Sequence, residues 1–301
     1  MIIIVLFIFG VVLGSFVNAF VWRLRIVENP NEVKPTPVKK PSQVKSAKRS
    51  AVKKSEVTLA RSARDYSILH GRSMCPDCKH QLAAKDLVPV LSWLTLKGKC
   101  RYCHKPISWQ YPAVELVTGA LFVLSYWQWP FDFAGGHWLL FALWCVFLVF
   151  FMALAVYDIW WYELPDRVVW PLVGLAVVFV TVQAIFFKDL HVIWGAAFAA
   201  AIIFGLFWVL FQISQGAWIG GGDVKLALVL GLLASSPLNA LLLIFLASLI
   251  GTLVTLPPLL ISKCGVKTLV PFGPFLIAAT ILVVLWGDKV FSTWLDKLLI
   301  A

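Results

Sequence analysis

Two aspartates stand where an aspartate is costly. Asp158 closes a long apolar run, after Val156 and Tyr157, and Asp223 opens another, directly after Gly220, Gly221 and Gly222. A carboxylate embedded at the end of a membrane-spanning segment is expensive to desolvate, so it is read first as a functional group. Two such groups at one membrane face suit the activation of water. One, ionised, takes a proton from the water as it attacks a peptide carbonyl, while the other, protonated, donates to the carbonyl oxygen. Close carboxylates share a proton because both cannot ionise easily, and they titrate as a pair. Gly220 and Gly222 are the expected substrate-binding positions, since a backbone without side chains permits close approach and positive φ. The competing reading is that each aspartate caps a helix. It suits Asp223, at a helix start, and suits Asp158 poorly, because the dipole disfavours an acid at a helix C-terminus. Glu163 and Asp166 are read as solvated interfacial charges.

Four of the six cysteines form the pairs Cys75-x-x-Cys78 and Cys100-x-x-Cys103, separated by residues 79–99. Two such turns aim four thiolates at one point and leave no ligand position for water, which predicts a structural zinc site ahead of a redox dithiol. His80 and His104 lie beside the pairs and are expected to face solvent. Cys145 and Cys264 are read as packing residues.

The elements that must carry these groups are membrane helices. The chain has 301 residues, 60% of them hydrophobic, and apolar runs near the roughly 20 residues of a bilayer span recur along it. The expected spans are 2–22, 112–129, 137–157, 167–187, 191–213, 223–235, 238–262 and 271–287. The expected fold is therefore an all-α integral membrane protein of about eight transmembrane helices. A small zinc-binding module is inserted after the first. The organisation reads as a first helix (1–23), a basic linker (24–73), the cysteine module (74–111), a transmembrane core (112–287) and a tail (288–301). The first helix has no basic stretch before it and no small-residue cleavage site, so it is expected to be retained. Prolines preclude a regular helix in most of the linker, with a short amphipathic helix possible over 57–69. No internal repeat is evident.

The formal net charge is +11, from 26 Lys+Arg against 15 Asp+Glu. Eighteen of those cations fall within residues 24–107 beside six acids. A basic loop next to a span is the mark of a cytoplasmic segment and is preferred to nucleic-acid binding; anionic membrane lipid is its expected partner. Threading the spans from that loop puts the N-terminus outside the cytoplasm. It puts Asp158, the 214–222 loop, Lys263 and Lys267 on the cytoplasmic side.

A set of phrases in order along nearly the whole chain resembles one family, the type IV prepilin leader peptidases. They are Gly14, Ser15, Phe16, Val17 and Asn18; the two cysteine pairs with Leu91, Ser92, Trp93 and Leu94 between them; Tyr111, Pro112 and Glu115 through Gly119; the stretch from Asp158 to Pro165; the Gly-x-Gly-Asp ending at Asp223; and Pro271, Phe272, Gly273 and Pro274. The resemblance implies an aspartic endopeptidase of the bacterial inner membrane, with Asp158 and Asp223 matching the catalytic pair. It would remove the short basic leader of prepilins or pseudopilins after a glycine. It also implies N-methylation of the new terminus with S-adenosylmethionine, the cysteine loop being typical of members with both activities. The chain departs from the pattern at Gln110, where an arginine is expected, and at residues 215–219, where an acid and a methionine are common. Glu115 is the candidate to handle the freed amine, against the plainer reading of an interfacial charge. A transporter or a zinc-dependent scaffold are the alternatives. A transporter would carry midplane charges and inverted repeats, whereas both aspartates lie at one edge.

Overall fold

The computed structural model describes residues 1–29, 73–78, 80–261 and 270–300. Most of the expected linker, the 57–69 helix, Lys263, Cys264 and Lys267 lie outside the described residues. The described chain is helical, with no strand. Its long helices are α1 (Ile2–Glu28), α3 (Gln110–Gln128), α4 (Trp138–Trp161), α5 (Asp166–Phe187), α6 (His191–Ser214), α7 (Gly221–Ala234), α8 (Pro237–Ile261) and α9 (Gly273–Ile300). A 3-10 turn (Ala84–Asp86) and the short α2 (Leu91–Thr95) lie between the cysteine pairs.

These eight follow the eight expected spans in order, and six of them are long and apolar enough to cross a membrane. The exceptions are α3 and α7. Helix α3 carries Gln110, Glu115, Thr118, Ser125 and Gln128 among its apolar residues. Helix α7 has 14 residues, about 21 Å at 1.5 Å per residue, short of the roughly 30 Å hydrocarbon core. It is apolar because it is buried in protein: Leu226, Ala227, Val229 and Leu230 are fully enclosed. The residues read as a tail from 288 onward instead prolong α9 to Ile300.

The chain divides into two compact units. One comprises Ile8–Gly119, and the other Met1–Phe7 with Ala120–Ala301. In the first, the cysteine unit, α1 and α3 meet closely. A Cβ built on Gly14 would lie 2.8 Å from the Glu115 Cα, so glycine is needed for that approach. Asn18 Nδ2 donates to the Tyr111 carbonyl at 3.1 Å. In the second, the aspartate unit, α7 packs against α5, α6 and α9, and Trp144, Phe147 and Phe151 of α4 are fully buried.

Candidate functional site

Asp158 lies in the last turn of α4. Its backbone carbonyl accepts from Tyr162, whose left-handed φ of 56° ends the helix. The side chain is 5% exposed. Its Oδ2 accepts from the Gly273 N–H at 3.1 Å. Gly273 opens α9, so this is one of the amides that a helix start leaves without an internal partner. Asp158 therefore sits at the unfavourable end of its own helix and at the favourable end of another. Asp223 is in the first turn of α7, as expected, and its N–H donates to the Gly220 carbonyl at 3.1 Å.

Gly273 relates the two carboxylates. A Cβ built on it would lie 2.6 Å from Asp158 Oδ2 and 3.7 Å from Asp223 Oδ1. Both acids thus border one point at the start of α9. Only a residue without a side chain leaves that point free. The sequence singled out the phrase from Pro271 to Pro274 but assigned no role in the site to Gly273.

The glycines before Asp223 serve different ends. None of Gly220, Gly221 and Gly222 has a positive φ, so the expected conformational reason does not apply; the residue that needs it is Gly216, at φ +81°. A Cβ on Gly222 would lie 2.9 Å from Leu164 Cβ, so this glycine lets the start of α7 pack on the loop after α4. A Cβ on Gly220 would meet only Asp223 Oδ2, at 3.7 Å, and that side of the backbone is open. Asp166, 55% exposed, pairs with Lys225 at 2.7 Å; Glu163 is exposed.

In the cysteine unit, the thiol sulfurs of Cys75, Cys78, Cys100 and Cys103 all lie within 4.8 Å of one another, with Cys75 and Cys103 3.9 Å apart. Four thiolates around a tetrahedral ion with 2.3 Å bonds sit about 3.8 Å apart, so the donor set could hold a metal ion. Two matching turns build it. Cys75 N–H donates to the His80 carbonyl at 3.0 Å and Cys100 N–H to the Lys105 carbonyl at 2.9 Å, and bridges join Met74 to Gln81 and Lys99 to Pro106. The second turn repeats the first, a small internal repeat the sequence reading missed because only the cysteines are shared. Burial pushes the Cys75 thiol up. Burial acts the same way on Cys100, but the backbone amides of Cys103 and Tyr102 outweigh it and bring that thiol down to about 7, which favours the ligating thiolate. His80 and His104 are exposed, His80 lying 3.7 Å from the Tyr102 ring centre. Arg101 pairs with Asp86 at 2.6 Å and Lys105 with Asp77 at 2.8 Å.

Glu115 is not an interfacial charge. It is 6% exposed, and its Oε2 accepts from the Val90 N–H at 2.7 Å. Val90 has a φ of 59°, rare for a β-branched residue and costing about 1–3 kcal/mol, so Glu115 holds a strained turn. It lines a cavity of about 540 Å³ within the cysteine unit.

Comparison with known proteins follows the same division. Residues 8–129 match the model of the Bacterial Peptidase A24 N-terminal domain, and residues 145–256 match that of the Type IV leader peptidase family. The first match spans the cysteine unit, and the second includes Asp158 and Asp223. A protein of Stutzerimonas stutzeri named prepilin leader peptidase/N-methyltransferase is 29% identical over 95% of this chain and 91% of its own length. One of the same name from Aeromonas hydrophila is 30% identical over 97% and 93%. Another from Bacillus subtilis (strain 168) is 33% identical over 77% and 89%. No solved structure matches the chain.

Proposed function

The chain belongs to the type IV leader peptidase family, and from that premise we propose that it cuts the basic leader from prepilins or pseudopilins with Asp158 and Asp223 as its catalytic pair. The observation that carries this reading is that both carboxylates border the bare Gly273 position. The ionised carboxylate takes a proton from water as the water oxygen bonds to the scissile carbonyl carbon. The protonated one donates to the carbonyl oxygen, giving a neutral tetrahedral intermediate. As the C–N bond breaks, a carboxyl returns a proton to the leaving amine. The Gly273 N–H keeps Asp158 oriented, and the open face of Gly220 gives the extended substrate a place beside Asp223.

Cys75, Cys78, Cys100 and Cys103 hold a structural zinc, which staples a module too small to fold on its apolar core alone. The enzyme also N-methylates the new terminus. S-adenosylmethionine supplies the electrophilic methyl group when bound. The cavity of the cysteine unit is within the range of about 300–1,000 Å³ of ligand pockets, and its aromatic walls and buried Glu115 fit an adenosyl amino acid. Glu115 accepts the proton of the substrate ammonium, whose ordinary pKa of about 8 makes that a mild demand near neutral pH. The protein sits in the bacterial inner membrane with its N-terminus outside the cytoplasm. The excess of basic residues within 24–73 makes anionic lipid the partner, without a nucleic-acid partner.

Asp158→Asn and Asp223→Asn, purified in detergent, should each abolish leader cleavage. Near wild-type turnover by either inserted variant would end the dyad assignment. A reporter-fusion map placing residue 50 outside the cytoplasm would overturn the topology.

A further inference from the structure

The cavity of the cysteine unit carries a cluster of polar groups at its α1–α3 wall. Ser15 and Asn18, three residues apart on α1, share a face, and so do Tyr111 and Glu115 on α3. Asn18 bonds to the Tyr111 carbonyl, and one turn away α1 passes so close to α3 that a Cβ on Gly14 would lie 2.8 Å from the Glu115 Cα. Ser15, Asn18, Tyr111 and Glu115 all line the cavity. The donation from Nδ2 to a carbonyl fixes the amide of Asn18, because the flipped amide would set oxygen against oxygen. Its Oδ1 is then an acceptor, and it is buried with no partner on a residue 6% exposed. Such an atom is costly to leave unmet. One turn away, the Glu115 carboxylate accepts from a neutral donor, the Val90 amide. A carboxylate has about four acceptor sites, so capacity remains. Two of the cations lining the cavity, Arg101 and Lys105, are paired with Asp86 and Asp77. Phe16, Ala19, Trp22, Trp93 and Leu96 give the cavity its apolar wall, and a third cation, the buried Arg23, lines it as well.

We propose that this cavity recognises a primary ammonium on an apolar body, with Glu115 as its counter-ion and Asn18 Oδ1 as its second acceptor. An ammonium offers three donors and a positive charge, which meets the orphaned oxygen and the carboxylate together. The identity of the ammonium rests on the function proposed above: it belongs either to the new N-terminal residue of the cleaved substrate or to the amino-acid end of the methyl donor. The site itself does not depend on that reading.

Calorimetry on the full-length, zinc-loaded protein in detergent tests this with two pairs of probes. One pair is a short peptide beginning with phenylalanine and its N-acetylated form. The other is S-adenosylhomocysteine and 5′-methylthioadenosine, which lacks the amino-acid end. At least one free-ammonium probe should bind about tenfold or more tightly than its partner, the worth of one charge-assisted hydrogen bond. The pair showing the difference identifies the source. Glu115→Gln keeps an oxygen for Val90 but loses the charge, and should erase that difference without changing the weaker probe. Asn18→Leu should reduce it, with zinc content reporting that the unit is folded; if that variant fails to fold, Glu115→Gln decides. Equal affinity within both pairs, no binding of any probe, or an undiminished difference in Glu115→Gln would overturn the proposal. Leader cleavage by the same wild-type sample separates the two readings. Cleavage without ammonium-dependent binding removes this site and leaves the peptidase, and binding without cleavage does the reverse.

Discussion

Gly273→Ala places a methyl group between the two acids. Its carbon would start 2.6 Å from Asp158 Oδ2 and 3.3 Å from the Asp158 Cγ. A carbon–oxygen contact relaxes at about 3.4 Å, so the carboxylate or α9 must yield by about 0.8 Å. Helix α9 is poorly placed to do so, because Leu276 and Ala279 behind Gly273 are fully buried. Asp158 itself is 5% exposed and would lose the alignment of its 3.1 Å bond from the Gly273 amide. A misplacement near 1 Å costs on the order of 10²-fold in rate, equivalent to about 2.7 kcal/mol of barrier. The expected result is therefore a fall in kcat for leader cleavage of about 100-fold with KM little changed, measured on purified protein with a synthetic prepilin. Gly174→Ala and Gly205→Ala are controls, since nothing lies within 4 Å of a Cβ at either position; both should cleave within about twofold of wild type. Gly220, with φ −69°, accepts alanine without strain, and there the expected effect is a raised KM from crowding the open face. An inserted Gly273→Ala protein with wild-type kcat would refute the placement of catalysis between Asp158 and Asp223.

Elemental analysis should find about one zinc per chain, bound by the four cysteines. Cys75→Ser should lower that occupancy, and acidification should release the metal as protons compete for the thiolates. Burial would push Asp86 up, but the bonds from Arg101 and Tyr102 outweigh it and hold this acid below the usual carboxylate range. A depressed pKa contributes stability that is present above the unfolded value, about 3.9, and is lost as pH falls through the folded value. Unfolding followed against pH should thus show no loss from this group between pH 7 and 5 and a decline below about 4 that Asp86→Asn lacks. Removing the exposed Lys225–Asp166 pair with Lys225→Met should change stability by less than about 1 kcal/mol in thermal unfolding; a larger loss would mean that the pair holds α5 and α7 together.

What the amino-acid sequence determined by itself is what local pattern encodes. Apolar runs mark the helices because a span must be apolar along its whole length. The cysteine spacings mark the two thiol-bearing turns because each turn closes over a few residues. Asp158 and Asp223 stand out because a carboxylate is costly wherever it lies at a membrane-helix end. The tertiary structure alone decided which helix ends meet. The Gly273 amide that orients Asp158 is 115 positions away, and Gly222 turned out to accommodate Leu164. Glu115, whose position beside Tyr111 and Pro112 looked interfacial, is buried and bonded by the Val90 amide. Helix α7, too short to span a bilayer, is covered by protein. The physical reason is common to all four. A helix in lipid is apolar all round, so it carries no stripe that tells which face packs and which meets the bilayer. The identity of its neighbours, and with it the surroundings of every polar group, appears only when the helices are assembled.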